Sequence, residues 1–138
     1  MLLSVVIVAS LFIYSNIFNP LQCSSIDYVQ ANLEVKESSM KLIGLNTDSD
    51  SLNFGKVSGG SEVTRSINVQ YSLPAEVKVF FKDSLDNNFD LNKFTMIDPP
   101  FFYINNNESQ EVYFTVNVPK NSLNGNYSGV VKFCFIEQ

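Results

Sequence analysis

The chain has 138 residues, carries 14 acidic against 9 basic side chains for a net charge of −5, and contains no histidine and no Trp. The acidic balance disfavours nucleic acid and anionic lipid as partners, and the missing histidine removes both the commonest general base and the commonest transition-metal ligand. No Ser, Lys or Cys stands in a recognised nucleophile pairing, so an enzyme is not expected and no catalytic, cofactor-binding or metal-binding residue is assigned.

Residues 1–18 (MLLSVVIVASLFIYSNIF) contain no charged side chain. As a helix they would span about 27 Å, at the short end of what crosses a hydrocarbon core. No Lys or Arg precedes the apolar run and no small-x-small site follows it, which separates it from a cleaved secretory signal. Gln22 before Cys23 fits lipoprotein processing badly, and Asn19-Pro20 ends the helix. Burial in a soluble core is the rival, but a helix apolar all round needs protein on every side, and about 110 remaining residues can hardly wrap it. The segment therefore reads as a membrane helix over 1–19 with lipid as its partner, then a linker over 20–29. Lys and Arg are absent from the residues just beyond it, where the first charge is Asp27, an arrangement that favours an amino terminus in the cytoplasm and the rest outside.

From residue 30 the pattern changes to period two. Val63, Ile67, Val69 and Tyr71 share one strand face, with Arg65 the exception, and the alternation recurs in Val77, Val79 and Phe81 and in Val112, Phe114, Val116 and Val118. The run from Tyr127 to Ile136 is apolar on both faces near its end, as in a strand covered from both sides. Turn residues at Asp48-Ser-Asp-Ser, Ser58-Gly-Gly-Ser, Asp98-Pro-Pro, Asn105-Asn-Asn and Asn124-Gly-Asn separate the runs. Strands are predicted near 30–37, 40–45, 52–57, 61–72, 76–82, 91–97, 101–104, 110–118 and 126–136. Short connections favour antiparallel pairing, and two facing sheets bury such one-sided strands. The fold class is thus all-β, an antiparallel β-sandwich over 30–138 behind one apolar helix.

Leu52-Asn-Phe-Gly-Lys-Val57, Gly59-Gly60 and Thr64-Arg-Ser-Ile-Asn-Val69 resemble the opening of immunoglobulin-like domains of the hydin and major-sperm-protein kind. Phe114-Thr-Val-Asn-Val-Pro119 with Gly125-Asn-Tyr-Ser-Gly-Val130 is similar to the last hairpin of prokaryotic surface immunoglobulin-like domains. Tyr71-Ser72 stand where such domains often carry Asn. The resemblance covers most of residues 52–136 and implies an immunoglobulin-like fold, hardly a function. The order of apolar helix then sandwich also resembles archaeal pilins and archaellins, which implies a filament subunit packing against copies of itself.

Physically, Gly55 permits a bulge after Phe54, Gly59-Gly60 a turn, and Tyr127 a buried ring whose hydroxyl reaches a backbone acceptor. Cys23 and Cys134 are the disulfide candidates. Because the termini of an immunoglobulin-like sandwich lie at opposite ends, free thiols or a link between chains are favoured over an intramolecular bond. Asn107-Glu-Ser109 and Asn126-Tyr-Ser128 are glycosylation sequons. Asn46-x-Asp48-x-Asp50 begins like an EF-hand loop, but Ser51 replaces the Gly and Val57 the bidentate Glu; a looser calcium site with Asp83, Asp86 or Asp90 is outweighed by ordinary acidic turns. Pro99-Pro-Phe-Phe-Tyr103 reads as a strand entering the core, with an apolar recognition patch as the rival. The expected function is a non-enzymatic structural or interaction protein outside the cytoplasm. It is anchored in the cell envelope and contacts an envelope or filament protein, with a filament subunit or a small carbohydrate-binding module as alternatives.

Overall fold

The computed structural model describes residues 22–37, 51–82 and 89–138. The expected helix over 1–19 and the expected strand over 40–45 lie outside the described residues. So do Asp48, Asp50, Asp83 and Asp86. Among the described residues no helix is long and apolar enough to cross a membrane.

Eight strands follow in order: β1 (Ser25–Val35), β2 (Ser51–Val57), β3 (Glu62–Gln70), β4 (Ala75–Phe81), β5 (Thr95–Asp98), β6 (Phe101–Ile104), β7 (Ser109–Asn117) and β8 (Gly125–Glu137). They form a five-stranded sheet in the order β2-β1-β8-β4-β6 and a three-stranded sheet in the order β3-β7-β5. The predicted alternation sets which side chains turn inward. Leu33, Phe54, Val77 and Phe133 from the larger sheet meet Val112, Phe114 and Val116 from the smaller in one buried cluster, and the Phe114 and Phe133 rings contact edge to face at 6.4 Å. β8 lies at the centre of the larger sheet, which accounts for its apolar residues on both parities.

Several expectations need correction. β1 begins at Ser25, so the stretch read as a linker over 20–29 already supplies ladder partners: Ser25 opposite Phe135 and Val29 opposite Val131. β1 and β2 pair in parallel, a pairing that a short turn cannot connect; residues 36–50 separate them in the sequence. The expected strand over 91–97 starts as a 3-10 turn, Leu91–Phe94, since the Asp90 carboxylate accepts from the Asn92 amide at 3.0 Å and Thr95 Oγ1 donates to the Leu91 carbonyl at 2.7 Å. β7 and β8 are not a hairpin: they belong to opposite sheets, and the loop between them crosses the sandwich. The same is true of every consecutive pair from β2 to β7, so among the described strands only β1 and β2 follow one another within a sheet.

Local chemistry matches the turn and bulge residues. Along the β1/β2 pair, Asn32 stands opposite Asn53 but Glu34 opposite Lys56, an extra residue absorbed at Gly55. Gly55 has φ 78°, and its amide donates to Asn53 Oδ1 at 3.0 Å. Gly60 has φ 82° in the turn into β3, with its amide donating to the Val118 carbonyl at 2.8 Å. Arg65, the break in the β3 alternation, reaches across from one sheet to the other, Nε donating to the Asn53 carbonyl at 3.3 Å.

Candidate interaction faces

Cys23 and Cys134 are joined by a disulfide, with Cα atoms 5.2 Å apart. The expectation that the termini lie at opposite ends fails because β1 and β8 are antiparallel neighbours, which puts the start of β1 beside the end of β8. If β1 continued straight back from Ser25, opposite Phe135, residue 23 would stand beside Glu137. Instead the chain bends at Ser24, whose amide donates to the Phe135 carbonyl and whose Oγ accepts from the Glu137 amide at 3.0 Å. Phe133 and Phe135 point into the core, so Cys134 between them points outward, yet it is fully buried. Cys23 therefore sits over the outer face of the five-stranded sheet, fastened to its central strand near the end where β1 begins.

That outer face is apolar in a way the sequence did not reveal. The ladder registers lay it out in rows: Tyr103, Glu76 and Ile136; Phe101, Lys78, Cys134 and Ile26; Phe80, Lys132 and Tyr28. Tyr103 is 64% exposed and Tyr28 54%, values that single them out as surface aromatics rather than the rim of a core. Cations are interleaved with the rings. Lys132 Nζ lies 5.5 Å from the centre of the Phe80 ring and Lys82 Nζ 5.8 Å from that of Tyr28, while Lys78 pairs with Glu76 at 3.1 Å. Three lysines against one glutamate make this region locally positive in a chain of net charge −5. The 99–103 segment serves both readings at once: Phe102 and Ile104 enter the core, while Phe101 and Tyr103 join the outer patch. The signal in the sequence was the second apolar parity at positions 26, 28, 80 and 136. At 136 it reads as double-sided burial and at 26 and 28 as linker; only the register shows these side chains sharing a face.

The opposite outer face, on the three-stranded sheet, carries exposed Met96 and Tyr113 among polar side chains that hydrogen-bond to one another. Thr64 and Thr115 hydroxyls pair at 2.9 Å, and Glu111 accepts from Ser66 and from the Tyr113 hydroxyl, both at 2.7 Å. Those two donors, Ser66 first, hold the Glu111 carboxyl below its ordinary value, and the same bond to Glu111 raises the Tyr113 phenol. Glu34, at the far end of the larger sheet, is lowered chiefly by its bond to Lys36.

The sequons are placed apart. Asn107 is exposed in the β6–β7 turn with φ 63°, held by Glu108, whose carboxylate accepts from Asn105 Nδ2 at 2.9 Å. Asn126 is exposed near the start of β8, opposite Glu34. Asp90, the one member of the looser calcium set among the described residues, spends its carboxylate on the 3-10 turn. Among the described residues no cluster of three or more His, Cys, Asp or Glu is placed to hold a metal ion. No protein-family model matches the chain, and no curated protein matches it.

Proposed function

We propose that this is a non-enzymatic protein of the cell envelope, an immunoglobulin-like sandwich held outside the cytoplasm by an apolar helix formed from residues 1–19. The observation that carries the reading is the Cys23–Cys134 disulfide, its first cysteine five residues beyond the apolar segment 1–18. A stable disulfide belongs to an oxidising compartment, and the run supplies a route there and a reason to stay. The immunoglobulin-like assignment draws on the two facing sheets and on the L-x-F-G-x-V and G-N-Y-S-G segments, which lie on β2 and β8. The work of such a domain is contact with another envelope or filament protein. Its polar three-stranded face and the loop carrying Asn107 suit that contact better than the sheet edges, because Arg65 bridges one edge and β5 and β6 at the other are only four residues each.

The test is alkaline extraction of membranes from the source cells, followed by protease treatment of intact cells or right-side-out vesicles. Retention in the stripped membrane with digestion from the outside supports the reading. Release by alkali, or protection until the membrane is opened, overturns it.

A further inference from the structure

We infer that the sandwich does not stand away from the membrane but lies on it, with the outer face of the five-stranded sheet against the lipid headgroups. The inference rests on the anchored reading above and adds an orientation and a lipid contact surface to it. Two observations carry it independently.

The first is reach. Phe18, the last residue of the apolar run before Asn19-Pro20, is five residues from Cys23, a distance of at most roughly 17 Å even fully extended. Cys23 is fixed by its disulfide to Cys134, which lies on the central strand of this face three residues from the end of β8, and the bend at Ser24 turns Cys23 over the face rather than past the end of the sheet. With the run in the bilayer, this face cannot be carried far from the interface. A sandwich tethered through a free β1 end would swing on a longer leash; this one is pinned to its central strand, at the end of the face where β1 begins.

The second is chemistry. Tyr28, Tyr103 and Phe101 are exposed beside Lys78, Lys82 and Lys132. Amphipathic rings with lysines between them are what the headgroup layer accepts: the rings enter the boundary with the acyl chains and the ammonium groups remain among the phosphates. The overall charge of −5 speaks against an anionic surface, but the charge on this face has the opposite sign. The other outer face also exposes Met96 and Tyr113, but its charges are Glu111, Asp98 and Glu62, so an anionic surface would repel it.

The experiment uses the full chain reconstituted into vesicles of phosphatidylcholine with one-fifth phosphatidylglycerol, part of the lipid carrying brominated acyl chains. Since the chain has no Trp, Tyr28→Trp and Tyr113→Trp provide single reporters on the two faces. We expect bromolipid to quench the reporter at position 28 about threefold or more strongly than that at 113, as for rings seated at the headgroup boundary. Reversing three charges together (Lys78→Glu, Lys82→Glu, Lys132→Glu) should reduce the difference while the protein still floats with the vesicles. Equal, weak quenching at both positions in protein that floats overturns the orientation and leaves the anchor standing. Protein that does not float overturns the anchor and the orientation with it. Position 28 shielded only at high protein density, with cross-links between chains through this face, overturns the lipid contact in favour of a second copy. Should the triple variant fail to fold, the comparison of 28 with 113 in the otherwise natural chain decides alone.

Discussion

Tyr127 buries its ring against Phe89 and Phe94, both edge to face at 5.2 Å, while its hydroxyl donates to the Leu123 carbonyl at 2.9 Å. It thus pins the β7–β8 loop to the strand that follows, and Tyr127→Phe should keep the packing but lose the bond. A destabilisation of about 1 kcal/mol is expected, read as a lower urea midpoint at unchanged slope. Cys23 and Cys134 close a loop of 111 residues, so replacing both with Ala should cost about 4–5 kcal/mol in the chain-entropy account. The same denaturation curve run with and without reductant checks it: the natural chain should shift and the double variant should not. Glu111 gives a pH signature. Its carboxyl is held below the ordinary 4.5, so its contribution is present above that value and disappears as acid protonates it in the folded state. The thermal midpoint of the natural protein should therefore fall as pH drops below 4.5, and Glu111→Gln should fall less steeply. Glu34, lowered in the same way, adds to the slope in both.

At the scale of elements, the alternation of β3, β4 and β7 reads directly off the sequence, because a half-buried strand needs little more than period two to choose its inward face. Arg65 was visible there as an exception but not as a device. In place it spans from β3 to the Asn53 carbonyl of β2, putting a charge where the edge strands of the two sheets meet. Arg65→Val would restore the apolar alternation and remove that charge. The prediction is concentration-dependent self-association by sedimentation velocity, and a monomer at all concentrations would show that the edge is protected by something else. Gly55 was legible as a bulge for a backbone reason: its φ of 78° disfavours any side chain. Gly55→Ala should cost about 1–2 kcal/mol without altering the β1/β2 register on either side.

Across the whole molecule, what could not be read was which strand lies beside which. Hydrophobic period tells a strand's inward face but not its sheet, and here most consecutive strands go to opposite sheets, so the expected β7–β8 hairpin does not form. The pairing of β1 with β8 joins the two ends of the described chain, and nothing local to residues 25–35 or 125–137 announces it. The consequences for the candidate surface were equally hidden. The disulfide partners were named but judged too far apart, and the outer aromatics at 28, 80 and 101 were scattered over the sequence until the ladder placed them in adjoining rows. The three-stranded face, by contrast, was readable as the wet side of β3 from Thr64, Ser66 and Asn68 alone. The overall account joins an oxidised, two-sheet body to a lipid-held front end. Its most direct test is the intact mass of the natural protein, recovered without reductant from alkali-stripped membranes. The account predicts a species that retains residues 1–18 and is two hydrogens lighter than the reduced chain. A mature form beginning after Pro20, or one with both thiols free, would contradict it.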